Sequence, residues 1–168
     1  MMTDKNQIRT FNVTYELYGR SVGKMRNEVN GRQIEPSIEP EFNMASDEAG
    51  FHGGEGSAPL PLAYFCTGLV TCLMTQIRAF AKRLRINLDG VDVDAVIKWQ
   101  ASSEGGNPYE ATPVQFLLDV DMKTNASLED QTRLLEAAKK GCFIEATLAN
   151  PIPVNHRIKL GQDFIEVD

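Results

Sequence analysis

The chain has 168 residues, of which 42% are hydrophobic and 24% are charged, and its formal net charge is −6. This length favours one domain, and the composition is that of a globular protein that can bury a core without disulfide staples. The acidic balance disfavours nucleic acid and anionic membranes as partners, because both select for basic patches.

The N-terminal residues and the longest apolar run indicate the cellular compartment. Residues 1–7 are polar and lack the apolar segment of a secretory signal. The longest apolar run, residues 59–74, is shorter than the roughly 20 residues that span a membrane. We therefore predict a cytoplasmic protein that does not cross a membrane. In that compartment Cys66, Cys72 and Cys142 are more often buried, catalytic or metal-bound than joined in structural disulfides.

Three features define the N-terminal third. Apolar and polar residues alternate over residues 11–17, which predicts a strand. Asn30-Gly31 is a typical tight-turn dipeptide, so a hairpin is predicted through residues 24–36. Residues 36–61 are rich in proline, glycine, serine and acids, which indicates a long loop.

The strongest helix pattern covers residues 62–84, with Pro61 suited to the first turn. Its first half is apolar nearly all round, which predicts a buried helix. Its second half is amphipathic and basic, and ends near Arg83 and Arg85, where cations favour a helix C-terminus.

The remaining chain alternates strands with one helix. Ser127 is a candidate N-cap with acids in the following turn, and Gly141 ends that helix. Period-two alternation predicts strands at residues 91–97, 114–122, 154–160 and 164–167. The order of elements indicates the α+β class in a single domain covering residues 1–168.

Four segments, taken in order, carry a family resemblance. They are the loop Gly53 to Pro59, the helix start from Pro61 to Cys72, the strand entry Leu88-Asp89-Gly90-Val91, and Cys142-Phe-Ile-Glu-Ala-Thr-Leu. In type and spacing they are similar to segments of the OsmC-like family (osmotically inducible protein C), which includes the organic hydroperoxide resistance proteins. The resemblance covers residues 53–154.

The resemblance implies an OsmC-like α+β fold, in which a long central helix packs against antiparallel or mixed sheets of an intertwined homodimer. It implies a site at the subunit interface, where Cys72 attacks an organic hydroperoxide and Cys142 resolves the product as a disulfide. It implies a dithiol reductant as the second partner, and it implies no cofactor.

Two positions depart from the family pattern, and one residue of the implied site is open. Leu62 stands where the hydroperoxide resistance branch has a glutamate, and Phe143 stands where the second-cysteine segment has a proline. The family's site arginine falls in the poorly matched N-terminal region. Arg20, Arg26 and Arg32 are the candidates.

The remaining cysteine and the histidines have simpler interpretations. Cys66 precedes Cys72 by six residues, roughly 240° around a helix, so it faces elsewhere and is expected in the core. His52 and His156 lack ligand-like neighbours at metal spacing, so no metal site is expected. The loop Gly53-Gly-Glu-Gly lacks the Lys-Ser/Thr that completes a phosphate-binding loop.

Three functional hypotheses follow from these residues. The first is a thiol-dependent peroxidase for organic hydroperoxides. The second is a non-catalytic dimer that binds an apolar small molecule at the subunit interface, which Leu62 favours. The third is an α+β interaction module whose three cysteines belong to the core, since free cysteine is among the most buried residue types.

Overall fold

The computed structural model describes residues 8–167, so residues 1–7, for which we predicted no secretory signal, lie outside the described range. Within it the chain forms three α-helices and three antiparallel sheets, which confirms the α+β class. In chain order the elements are β1 (Thr14–Ser21), β2 (Asn27–Glu35), β3 (Ser37–Ser46), a 3₁₀ turn (Gly50–His52), α1 (Pro61–Leu84), β4 (Gly90–Ser102), β5 (Glu110–Lys123), α2 (Leu128–Gly141), α3 (Phe143–Ala149), β6 (His156–Leu160) and β7 (Asp163–Val167). The chain divides into two compact units, one up to Phe65 and one from Cys66 onward.

The first unit is built on a three-stranded antiparallel sheet in the order β1-β2-β3. The predicted strand at residues 11–17 exists, but it begins at Thr14 and continues to Ser21. It returns as β2 through a short turn in which the Val22 N–H donates to the Arg26 carbonyl at 2.9 Å.

The predicted turn at Asn30-Gly31 is wrong, because both residues lie in the middle of β2. Asn30 pairs with Tyr18 on one side and with Asn43 on the other. Gly31 is required by the packing of a neighbouring side chain and not by a turn of the backbone. A Cβ built there would lie 2.4 Å from Cζ of Phe42 on β3, so the aromatic ring occupies the space above the glycine.

The predicted loop over residues 36–61 is correct only in its second part. Residues Ser37–Ser46 form β3, which pairs with β2 and is an edge strand. Edge strands tolerate proline because one row of their N–H groups needs no partner. Pro40 lies where the register between β2 and β3 shifts, so its missing N–H interrupts no regular pairing.

A buried carboxylate organises the loop between β3 and α1. Asp47 is only 2% exposed. Its carboxylate accepts hydrogen bonds from the backbone N–H of Glu48 (2.9 Å), the backbone N–H of Ser57 (2.9 Å) and the Ser57 hydroxyl (2.8 Å). The two Ser57 bonds, followed by that of Glu48, hold the pKa of Asp47 below its usual value. One side chain thus joins the two ends of a ten-residue loop.

We expect Asp47→Asn to lower the thermal unfolding midpoint at pH 7. The folded pKa of Asp47 is depressed, so its stabilisation is present above the unfolded pKa of about 3.9 and is lost as the pH falls through the folded value. The difference between parent and variant should therefore shrink below about pH 4. Thermal unfolding followed by circular dichroism from about pH 3 to about pH 8 measures the difference between the two midpoints.

Glu55→Gln changes an exposed carboxylate in the same loop and serves as the matched control. It should leave the midpoint and its pH dependence unchanged. Equal midpoints for the parent and Asp47→Asn at pH 7 would show that the carboxylate contributes no net stability.

The long helix α1 begins at Pro61, as predicted, and ends at Leu84. In the second unit its residues Leu73, Ile77 and Ala81 form a buried stripe. This stripe packs with Val91 of β4 and with Leu134 and Ala138 of α2 in one hydrophobic core. By length and composition alone α1 would also pass as a candidate membrane span, a test that core helices of soluble proteins pass as well.

Two hairpins complete the second unit. The predicted strands at residues 91–97 and 114–122 form β4 and β5, which are longer than the alternating patterns and pair antiparallel from Gly90↔Lys123 to Ser102↔Glu110. The predicted terminal strands form β6 and β7, an antiparallel hairpin in which every described residue is exposed. The seven-residue helix α3, which follows Cys142, has no counterpart among the predicted elements.

Candidate active site

One face of α1 carries Gly68, Cys72, Gln76 and Phe80. These residues follow one another at intervals of four, and side chains four apart lie on the same face of a helix. Cys72 is half-buried and reduced. The side chain opposite Gly68 is Ile144, whose Cδ1 would lie 3.2 Å from a Cβ at that glycine.

The opposing surface is the junction between α2 and α3. Ser127 caps α2, as predicted, and its hydroxyl accepts from the Asp130 N–H at 3.1 Å. The helix buries Leu134 and Ala138 and ends at Gly141. Cys142 lies at the junction itself, where its backbone N–H donates to the Ala138 carbonyl at 2.8 Å. The polypeptide then turns directly into α3.

The structure brings Cys72 and Cys142 together. Cys142 is fully buried, and the Cys72 side chain lies close enough to it to raise its pKa. Burial raises the pKa of Cys142 to about 11, and the hydrogen bond and charge of Cys72 add to the increase. The backbone N–H groups of Glu145 and Ile144 act in the opposite direction but do not outweigh burial. At neutral pH the Cys142 thiol is therefore protonated.

We expect removal of Cys72 to lower the pKa of Cys142, because two of the causes that raise it are lost. Burial, the largest cause, remains, so the value should stay above the ordinary cysteine pKa of about 8.5. A thiolate absorbs at ~240 nm. Because the four tyrosines ionise in the same pH range and absorb there too, the titration of Cys66→Ser/Cys72→Ser minus that of the variant lacking all three cysteines reports Cys142 alone.

The Cys66→Ser single variant is the control, since it keeps the pair intact and should retain a titration step near pH 11. A Cys142 midpoint that does not change when Cys72 is replaced would mean that the two thiols do not interact in solution.

Cys66 is not the core residue that the sequence predicted. It is half-buried and lines an open cleft of about 440 Å³ between α1 and β4. The cleft is lined by Cys66, Thr67, Val70, Thr71, Ala95 and Ile97. Cys66 does face away from the Cys72–Cys142 pair, as its helical angle predicted, because it shares its surface with β4 rather than with α2 and α3.

The three candidate arginines all lie in the first unit, and their partners differ. Arg20 donates to Glu28 at 3.0 Å and Arg32 donates to Glu16 at 3.0 Å, so both form exposed pairs between neighbouring strands. Arg26 forms an ion pair with Glu28 as well, at 3.7 Å, and in addition donates to the Ser57 hydroxyl at 2.9 Å and to its carbonyl at 3.2 Å. Ser57 also donates to Asp47, so the loop before α1 holds this guanidinium through Ser57.

Leu62 and Tyr64, both near the start of α1, differ in their surroundings. Leu62, which replaces the family glutamate, is 55% exposed at the start of α1. The Tyr64 hydroxyl donates to the Ala45 carbonyl at 2.6 Å within the first unit. Among residues 8–167, no three His, Cys, Asp or Glu side chains are arranged to hold a metal ion.

Sequence reasoning missed Asp47, Ser57 and the contact between Phe80 and Gly141. The position of Phe80, eight residues after Cys72 and so on the same helix face, is the signal that would have pointed to it. Gly141 had an adequate local explanation as a helix stop, which concealed its second role. No local pattern marks Asp47 as buried.

Comparisons with known proteins agree with this architecture. The sequence profile of the OsmC-like protein family matches residues 54–157. The crystal structure of an OsmC-like hydroperoxide resistance protein from Jannaschia sp. CCS1 is 42% identical, covers 92% of this chain and 98% of its own, and has a TM-score of 0.63. A search of curated protein sequences finds no significant match.

More distant structures share the fold. An organic hydroperoxide resistance protein OsmC from Legionella pneumophila is 16% identical, with a TM-score of 0.55 over 85% of this chain and 93% of its own. An OsmC-like protein from Mycoplasma pneumoniae is 16% identical, with a TM-score of 0.54 over 86% of this chain and 91% of its own. The profile match and the Jannaschia relative together establish that this chain belongs to the OsmC-like family.

Proposed function

We propose that this chain is a cysteine-based peroxidase that reduces organic hydroperoxides in defence against oxidative stress. The observation that carries the proposal is the proximity of the Cys72 and Cys142 thiols on facing elements of the second unit. The Jannaschia relative, which is 42% identical, is a hydroperoxide resistance protein, and this supports the substrate class. We further propose that the protein acts in the cytoplasm, where a pair of reduced thiols is maintained.

The difference in burial between the two thiols supports their separate roles. Cys142 is fully buried and protonated at neutral pH, so it neither meets a hydroperoxide first nor attacks it as a thiolate. Cys72 is half-buried and lies within reach of Cys142. Cys72 is therefore the nucleophile and Cys142 is the resolving thiol.

The reaction consumes one hydroperoxide for each disulfide formed. The Cys72 thiolate attacks the terminal oxygen of the hydroperoxide, the O–O bond breaks, and the alkoxide leaves as an alcohol after taking up a proton. Cys72 is then a sulfenic acid. The Cys142 sulfur attacks the Cys72 sulfur, its proton and the hydroxyl leave as water, and a disulfide forms. A dithiol reductant returns both cysteines to thiols.

The competing hypothesis is a non-catalytic dimer that binds an apolar small molecule. Leu62 in place of the family glutamate favours it, as does the open cleft beside Cys66. Consumption of an organic hydroperoxide with a dithiol reductant separates the two functions, because a binding protein does not turn over.

We expect Cys72→Ser to abolish hydroperoxide consumption, since a hydroxyl cannot replace the thiolate nucleophile. Cys142→Ser should complete one turnover and leave Cys72 as a sulfenic acid that a dimedone-type probe traps. Consumption of cumene hydroperoxide in the presence of dithiothreitol measures the first outcome. Intact-mass analysis of the probe-treated protein measures the second.

Cys66→Ser is the matched control, because Cys66 faces the cleft at β4 and not the thiol pair. Its rate should lie within about two-fold of the parent. Equal consumption by the parent and Cys72→Ser would refute the mechanism, and no consumption by the parent would favour the binding protein.

We also propose that the chain acts as a homodimer. Every described residue of the β6–β7 hairpin is exposed, including the apolar residues Ile158, Leu160, Phe164, Ile165 and Val167. A two-stranded hairpin is marginally stable by itself in water, and exposed apolar surface of this kind is typical of an interface. A second copy of the chain is the occupant that the family resemblance implies.

Sedimentation velocity should accordingly give a dimer, of about twice 18.6 kDa, at micromolar concentration. Ile158→Glu places a charge on the apolar face of the hairpin and should shift the population toward the monomer. The control Glu166→Gln changes a charged residue of the same hairpin without adding charge to that face and should remain dimeric. A parent chain that sediments as a monomer would contradict the proposal.

A further inference from the structure

Phe80, on the same face of α1 as Cys72, packs closely against Gly141. A Cβ built on Gly141 would lie 2.5 Å from Cζ and 2.6 Å from Cε2 of Phe80, separations that side-chain carbons do not adopt. Gly141 does not have a positive φ, so its backbone conformation is open to any residue. Space, rather than conformation, therefore requires glycine here.

Phe80 is not free to move aside. Its ring packs against the core formed by α1, α2 and β4. The guanidinium carbon of Arg83 lies over the ring, 5.3 Å from its centroid. Protein interiors are packed to crystal-like density, so an added methyl group displaces a neighbour instead of filling a void.

Gly141 and the thiol pair are mechanically joined. Gly141 immediately precedes Cys142, and Phe80 lies eight residues after Cys72 on one rigid helix. A methyl group between Gly141 and Phe80 would therefore push Cys142 away from Cys72. Disulfide bonds need Cα atoms about 4.4–6.8 Å apart and a defined dihedral angle, so such a displacement opposes the bond.

A second contact on the same helix face acts in the same sense but less strongly. Gly68, four residues before Cys72, would place a Cβ 3.2 Å from Cδ1 of Ile144, two residues after Cys142. That methyl group is the flexible end of an aliphatic side chain and can yield by a few tenths of an ångström. The two contacts lie on either side of the thiol pair.

We propose that Gly141 and Phe80 are positioning residues that set the separation of Cys72 and Cys142 and so set the reduction potential of the pair. The inference rests on the cysteine pair of the proposed function. The equilibrium concerned is the exchange of the protein dithiol with oxidised dithiothreitol, which gives the protein disulfide and reduced dithiothreitol. Two electrons and two protons pass between the couples, and no hydroperoxide is needed.

The test is this equilibrium in the full chain at pH 7, with thiols trapped by alkylation and counted by intact mass. Gly141→Ala should disfavour the disulfide by about ten-fold, which for a two-electron couple is about 30 mV toward a more oxidising potential. Gly68→Ala should shift it in the same direction but less. Gly106→Ala is the matched control, because a Cβ there meets nothing within 4 Å, and it should leave the potential unchanged.

Rescue distinguishes positioning from a general loss of stability. Phe80→Leu removes Cζ and Cε2, the two ring atoms that a methyl group at position 141 would strike. The double variant Gly141→Ala/Phe80→Leu should therefore recover most of the parent potential. If it shifts as far as Gly141→Ala alone, or if Gly141→Ala and Gly106→Ala give the same potential, the proposal is overturned.

Three further outcomes are informative. If Gly141→Ala does not fold, Phe80→Leu alone decides, since loss of the ring should also change the potential and an unchanged value overturns the proposal. If the parent forms no Cys72–Cys142 disulfide with oxidised dithiothreitol, the proposal is overturned as well. A parent that forms the disulfide but consumes no hydroperoxide leaves this inference standing and removes only the peroxidase function.

Discussion

The close contact between the α2–α3 junction and one face of α1 is the constraint on which the chemistry of the second unit depends. Gly141 leaves room for the ring of Phe80 to pack against the backbone at this junction. The contact places Cys142 in the interior and against Cys72. Burial of a thiol costs little, because cysteine behaves as a small hydrophobic residue.

The same burial gives two chemically identical side chains different surroundings. A thiolate loses its hydration in the interior, and the neighbouring Cys72 adds a hydrogen bond that favours the protonated form of Cys142. The two effects keep a proton on the buried thiol, and the half-buried Cys72 is the more accessible of the two. An asymmetric pair of this kind suits a reaction in which one sulfur is oxidised first and the other follows.

In the first unit, hydrogen bonds hold the loop that leads into α1. A buried carboxylate is costly unless its oxygens are hydrogen-bonded, and Asp47 meets that condition with backbone and side-chain donors at both ends of the loop. Ser57 serves both Asp47 and Arg26, so a loop rich in glycine holds a cationic side chain in one place. That order comes from hydrogen bonds rather than from apolar packing.

Sequence patterns located the elements whose stabilising contacts repeat along the chain. The apolar period of α1, the alternation of β4 and β5 and the Ser127 cap are local signals, and these elements were correctly predicted. The failures occurred where a distant residue decides the conformation. Asn30-Gly31 would form a turn by itself, but Phe42 on the neighbouring strand packs over the glycine and makes it part of β2. Helix α3 is too short to show a period.

The sequence by itself determined the fold class and the family resemblance, because residue types and spacings carry that information, and the resemblance pointed to Cys72 and Cys142. Only the tertiary structure decided that Cys142 is the buried thiol, that Cys66 faces an open cleft, and that Gly141 is glycine because of Phe80. Burial, distance and available space are properties of pairs of residues far apart in the chain. These quantities are defined only once the chain has folded.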